Sequence, residues 1–301
     1  MSFNIWRITD GKAGHDSQSL GLCKAIGKRF DTACFDVPVA SCKNNLLNIL
    51  LKRFPAGDEL PDPWLIIGAG RQTHLPMLAA KRARKGKTIV LMKPGLPLLL
   101  FDYCLIPQHD SPPNKTNIVT TFGAINTVEP DEKKNLNHTL ILIGGPSKHF
   151  QWQNKEVIEQ IRRITSIDPN TRYTVVGSPR TPEDLYIKLR ELNTENVQVL
   201  SCEQCDNKKL NILISSSGNI WVTEDSVSMI YESLSSGANV GLIEITPKRE
   251  NKIHRSVKSL INEELITPFN IWNKTQKLKA GKIFNEAERC THILAEMGAF
   301  D

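Results

Sequence analysis

Short apolar runs alternate along the chain with longer stretches in which apolar positions recur at helical spacing. In the first half the runs fall at 3–9, 33–37, 64–68, 88–92 and 103–106, with predicted helices over 17–30, 44–53 and 72–84. Trp64-Leu65-Ile66-Ile67 is apolar without alternation, as expected of a strand buried on both faces of a parallel sheet. Around 121–137 the pattern lapses: Gly123, Pro130 and the charged run Asp131 to Lys134 carry no periodicity. It then starts again. Strands are predicted at 139–143, 172–176, 197–200, 220–223 and 240–243, and helices at 154–165, 183–192, 207–216, 226–236 and 254–261. This alternation predicts an α/β protein of two Rossmann-like parallel-sheet domains. Their expected limits are 1–122 and 138–301, joined by a linker at 123–137. The last helix, 282–297, either completes the second domain or crosses back onto the first.

A length of 301 residues suits two domains of ordinary size, and 40% hydrophobic residues give each a core. No apolar run is long enough to span a bilayer, and the N-terminus lacks the basic and apolar regions of a signal peptide. A cytoplasmic location is expected. The seven cysteines are odd in number and scattered, which favours reduced thiols; Cys202-x-x-Cys205 without a second pair is weak as a zinc site, and no metal is expected. A net charge of +6 with interspersed acids does not call for nucleic acid. The basic cluster from Lys81 to Lys87 suits either a helix C-terminus or anionic headgroups, so peripheral contact with the inner face of a membrane is compatible with it.

In open α/β sheets ligands bind beyond the carboxyl ends of the strands, so the loops there carry the candidate chemistry. The first is Asp10-Gly11-Lys12-Ala13-Gly14-His15, where glycines admit a ligand to the backbone and His15 can take a proton as a general base. The next is Gly68-Ala69-Gly70-Arg71, followed by His74; Arg71 offers a planar fork for phosphate or carboxylate. Lys93 and Gln108-His109-Asp110 follow later strands of the same half. Lys12, Gly14, Arg71, His109 and Asp110 are thus the acceptor-side candidates. In the second half, Gly144-Gly145-Pro146-Ser147-Lys148 suits a diphosphate. Arg180 can offset phosphate charge, and Thr181-Pro182 reads as a cap and first turn. The densest segment is Thr223-Glu224-Asp225-Ser226-Val227-Ser228 with Glu232 beyond it. There a helix start offers free amides to an anion, Ser226 and Ser228 add hydroxyls, and Glu232 can accept from ribose hydroxyls. Gly145, Ser147, Lys148, Arg180, Thr223, Ser226, Ser228 and Glu232 form the nucleotide-side set.

The segment from Thr223 to Glu232, with Gly237-Ala238-Asn239-Val240 after it, resembles the donor-nucleotide motif of GT-B glycosyltransferases. Gly11-Lys12-Ala13-Gly14-His15 looks like the acceptor-side glycine loop of the lipid-linked N-acetylglucosamine transferase of peptidoglycan synthesis, although Lys12 stands where a smaller residue is expected. Taken together, Asp10 to His15 with Gln18, Gly68 to Arg71, Gly144 to Ser147, Arg180-Thr181-Pro182 and Thr223 to Met229 resemble the mitochondrial-fission "elongate mitochondria" family. Bacterial members of that family are regarded as candidate glycosyltransferases. The resemblance implies a GT-B fold with an interdomain cleft, an acceptor in the N-terminal domain and a nucleotide sugar in the C-terminal one. It also implies no cofactor beyond a nucleoside-diphosphate sugar of UDP or GDP type as substrate, and an acceptor that is lipid-linked or a saccharide. Two rival readings remain: a nucleotide-sugar epimerase using Asp110 and Glu244, and a non-catalytic scaffold that recruits a partner, as the fission role of the plant member suggests.

Overall fold

The computed structural model describes residues 3–191, 195–250 and 252–301. The chain divides into two compact units, Met1–Thr127 with Asn285–Asp301, and Val128–Phe284. In chain order the first unit holds β1 (Phe3–Thr9), α1 (Ala13–Gly27), β2 (Thr32–Pro38), α2 (Asn45–Leu51), β3 (Leu65–Ala69), α3 (His74–Arg84), β4 (Lys87–Leu91), β5 (Tyr103–Pro107) and β6 (Ile118–Thr121). The second holds β7 (Asn135–Ile143), α4 (Asn154–Thr165), β8 (Arg172–Gly177), α5 (Glu183–Arg190), β9 (Val197–Leu200), α6 (Asn207–Ser216), β10 (Ser217–Thr223), α7 (Val227–Ser235), β11 (Asn239–Ile243), α8 (Lys252–Asn262), β12 (Thr267–Pro268) and α9 (Phe269–Thr275). The final helix, α10 (Glu286–Glu296), lies in the first unit.

Each unit is a six-stranded sheet, ordered β2-β1-β3-β4-β5-β6 in the first and β12-β11-β10-β7-β8-β9 in the second, with every pairing parallel. The strand order reverses at β1/β3 in the first sheet and at β7/β10 in the second. Those are the topological switch points, where neighbouring loops leave in opposite directions and open a crevice.

Successive residues of the first sheet feed opposite faces. Ile5, Ile67, Leu91 and Leu105 pack with Leu22 and Ile26 of α1 and with Cys290 and Leu294 of α10. Trp6, Ile66, Val90 and Ile106 pack on the other side with Met77 and Ala80 of α3 and with Phe54. Trp6 is fully buried, its ring stacked on Phe54 at 5.6 Å and its indole N–H donating to the Pro61 carbonyl at 3.0 Å. α10 is fixed by Arg289, which holds Glu286 and donates to the Thr120 carbonyl at 2.6 Å, while Glu286 accepts the Phe122 amide at 2.8 Å. In the second unit Ile141, Ile143, Val175, Trp221 and Ile243 meet Val157, Ile161 and Ile164 of α4.

Several limits differ from the sequence reading. α1 starts at Ala13, so His15 stands in its first turn and not in the loop before it. The missing signal is a cap: Lys12 occupies the N-cap position and makes no side-chain capping bond. β7 opens at Asn135, inside the segment read as a linker, because its polar start pairs with Ser217 of β10. β6, β12 and α9 are additions, each short. The predicted end of α5, Leu192, lies outside the described residues.

Candidate functional site

At the first switch point the side chains are positioned from β1 outward. Arg7, buried in β1, holds Asp36 of β2 through two nitrogens and donates to the Asp16 carbonyl at 3.2 Å and to Ser19 Oγ at 3.3 Å. That ties the first turns of α1 to the sheet. Between them, Gly11 takes a positive φ of 74° and turns the chain, so that Asp10 and His15 meet. His15 Nδ1 lies 2.8 Å from Asp10 Oδ2, and the Asp10 side chain is wholly enclosed. Asp10 Oδ1 also accepts the Lys12 amide at 3.2 Å, and Lys12 Nζ stands 3.8 Å from Oδ2. Burial acts to raise the Asp10 carboxyl, but the bonds from His15 and Lys12 and their charges outweigh it and hold it below its ordinary value. With Asp10 ionised, the carboxylate accepts a hydrogen bond from the Nδ1–H of His15, the tautomer that leaves the lone pair of a neutral imidazole on Nε2. Gly70, at φ 85° at the end of β3, lies directly under the ring: a Cβ there would stand 2.3 Å from His15 Nδ1 and Cε1.

Arg71 follows, exposed, its side chain making no hydrogen bond or ion pair among the described residues. His74 belongs elsewhere: it is buried edge-on to Phe101 at 5.6 Å, and burial, then the Arg71 charge, lowers it, so it is a core histidine. His109 and Asp110 sit in a short turn after β5, His109 Nε2 lying 3.9 Å from Asp110 Oδ2, with Lys93 Nζ donating to the Asp110 carbonyl at 3.1 Å. β5 is two strands beyond β3, so this pair stands about 10 Å further along the same edge. The basic cluster after α3 is largely engaged within the unit: Lys81 pairs with Asp102, Arg84 with Asp58 and Asp62, and Lys87 with the Gly298 and Asp301 carbonyls.

At the second switch point the loops after β7, β8 and β10 lock together. The Gly144 amide donates to Thr223 Oγ1 at 2.7 Å and the Gly145 amide to Asp225 Oδ2 at 3.0 Å. A Cβ on Gly144 would lie 2.2 Å from the Asp225 carboxylate, and one on Gly145 would lie 2.1 Å from the Arg180 carbonyl; close approach demands both glycines. Arg180 bridges Asp225 Oδ2 and the Gly145 carbonyl, each at 2.9 Å. Arg180 is therefore matched by a buried carboxylate. Thr223 is fully buried and serves as a clamp on Gly144. Thr181, read as a helix cap, instead gives its hydroxyl to the Gly144 carbonyl at 2.6 Å, and Pro182 takes the N-cap position of α5, which has no side-chain cap.

With the glycine amides committed, the donors left at this edge are those heading α7. Ser226 is its N-cap and makes no side-chain capping bond, so the first-turn amides of a nine-residue helix stay without side-chain acceptors. Ser226 is half-buried and Ser228 exposed. In the loop after β7, Ser147 is half-buried and Lys148 exposed. Glu232 is half-buried one turn and a half along α7, and its carboxylate has no hydrogen-bond or ion-pair partner among the described residues. Burial pushes it up to about 7.

Three participants escaped the sequence reading. Asp10 orients His15. Lys248, on the loop after β11, donates to the Ser147 carbonyl at 3.3 Å and brings a further cation to that loop. Glu224, buried after β10, meets His254 Nδ1 at 3.1 Å and accepts the Ile245 amide at 3.3 Å; burial raises it, partly offset by those two donors. Glu244, an epimerase candidate, has Oε2 occupied by the Asn270 amide at 2.7 Å. Among the described residues no three His, Cys, Asp or Glu side chains converge as a metal site.

The fold is that of GT-B proteins. A candidate UDP-N-acetylglucosamine 2-epimerase of Listeria monocytogenes superposes with a TM-score of 0.61 at 10% identity, over 100% of this chain and 98% of that one. The UDP-N-acetylglucosamine 2-epimerase of Neisseria meningitidis, solved bound to UDP-N-acetylglucosamine, gives 0.55 at 11% identity over the whole of both chains. A glycosyltransferase of Rickettsia africae ESF-5 gives 0.52 at 12%, again over the whole of both. In sequence, an uncharacterized protein of Rickettsia prowazekii (strain Madrid E) is 24% identical, with 97% of each chain aligned. Residues 13–297 match the pattern of the family described as mitochondrial fission ELM1, which takes in α1, β3, the second switch point and α10, and the chain belongs to that family.

Proposed function

We propose that the protein is a glycosyltransferase that moves a sugar from a nucleoside-diphosphate donor to a hydroxyl acceptor. The observation that carries this reading is the Asp10–His15 pair at the first switch point, with Nε2 left as a proton acceptor at the head of α1. In the proposed step the acceptor oxygen bonds to the anomeric carbon, its proton passes to His15 Nε2, and the bond from that carbon to the diphosphate oxygen breaks. The leaving nucleoside diphosphate takes the electron pair. The amides heading α7, the hydroxyls of Ser226 and Ser228, and Lys148 and Lys248 stabilise its charge. Glu232 holds the ribose, Arg71 and Lys12 hold the acceptor, and Arg180 acts indirectly by neutralising Asp225 under the glycine loop.

The test is transfer from radiolabelled UDP- and GDP-sugars to membrane and saccharide extracts. His15→Ala is expected to abolish transfer, and Asp10→Asn to lower it about 10²–10⁴-fold, each with nucleotide affinity unchanged. Loss of nucleotide affinity in His15→Ala would refute the role assigned to it. Incubation of the donor without acceptor separates transfer from epimerisation, since an epimerase alters the sugar unaided.

A further inference from the structure

α2 is built inside out. On an ordinary surface helix the apolar stripe faces the core and polar residues face water. Here Asn45 and Asn48 are half-buried and donate back to the turn before the helix, to the Cys42 carbonyl at 2.9 Å and the Lys43 carbonyl at 2.8 Å. Only Ile49 joins the core around Trp6 and Phe54. Four leucines point out: Leu46 and Leu50 are 70% and 77% exposed, and Leu47 and Leu51 about half. Left-handed residues at both ends, Asn44 at φ 51° and Lys52 at φ 54°, hold the seven-residue helix in this attitude. A cluster of this kind marks an interaction surface.

Charge identifies the occupant. Lys43, Lys52 and Arg53 flank the helix, all exposed, while the nearest acids in sequence, Asp36 and Asp58, pair with Arg7 and Arg84. A two-fold contact between copies would set these cations against their own images. A bilayer with anionic headgroups satisfies both features at once: cations at headgroup level and leucines beneath them. Among the described residues no helix is long and apolar enough to cross a membrane, so the contact lies on the surface.

We infer that the exposed leucine face of α2, with its flanking cations, docks the first unit on an anionic lipid surface. The inference stands independently of the nucleotide reading, because none of these residues belongs to either switch point. The experiment is co-sedimentation of the full chain with phosphatidylcholine vesicles, with and without about one-third phosphatidylglycerol, together with sedimentation velocity in vesicle-free buffer. The expected result is binding to the phosphatidylglycerol vesicles that weakens with salt. Leu46→Ser with Leu50→Ser should reduce it at least about tenfold. Lys52→Glu with Arg53→Glu should remove the preference for phosphatidylglycerol. All four side chains face solvent, so melting temperature and nucleotide affinity should not move. Absence of vesicle binding, equal binding by the leucine variant, or a dimer that the leucine variant dissolves would each overturn the inference.

Discussion

Glu232 shows how a single residue trades stability for binding. Burial raises it from an ordinary 4.5 to about 7. Below 4.5 the folded and unfolded chains both hold the proton; between 4.5 and 7 only the folded chain does; above 7 the folded chain carries a desolvated carboxylate. Its contribution to stability therefore falls as pH rises through that window, by on the order of 2 kcal/mol. Glu232→Gln should raise the melting temperature by a few degrees at pH 8 and hardly at all at pH 4, read by calorimetric melting in each buffer. The same change should weaken nucleotide binding about tenfold, because ribose hydroxyls lose a charged acceptor. A variant that melts lower at pH 8 would show that the carboxylate is satisfied in the folded chain. Glu232 was legible in the sequence, since its place on a serine-headed helix follows from local spacing. The pairing of Arg180 with Asp225 was not: 45 positions separate them, and no periodicity links residues that meet only when the loops after β8 and β10 close.

At the scale of elements, strands were legible and turns were not. Buried parallel strands such as β3 are continuous apolar runs, and the limits of β3 came within one residue, whereas β7 and β10 start earlier on polar residues that carry no apolar signal. α1 began four residues early because nothing marks Ala13 as a helix start, and that displacement hid the Asp10–His15 contact. The contact depends on Gly11 and on Gly70, whose positive φ and missing side chain leave room for the ring. Gly70→Ala should therefore strain the turn by about 1 kcal/mol and push His15 from Asp10, lowering transfer about 100-fold while nucleotide affinity holds. Gly14→Ala provides the contrast. A Cβ there meets nothing within 4 Å, so thermal stability should be kept or slightly improved, as helix propensity favours alanine. Equal effects of the two changes on stability would contradict the role given to Gly70.

At the scale of the whole chain, the repetition of one pattern in two halves was legible, and with it two parallel sheets. The path of the last helix was left open by the sequence, because an amphipathic helix does not state which sheet it covers. Structure answers through particular contacts: Glu286 receives the Phe122 amide, and Cys290 and Leu294 join Leu22 and Ile26. Each sheet then presents its own switch point, one with a histidine–aspartate pair and one with an uncapped helix start above a glycine loop. The reading stands or falls on the second of these holding a nucleoside diphosphate. Titration calorimetry of the full chain with UDP and with GDP tests it most directly. One of the two is expected to bind in the micromolar range, and Glu232→Ala to weaken that binding about tenfold or more; no heat with either nucleotide, or unchanged affinity in Glu232→Ala, would contradict the account.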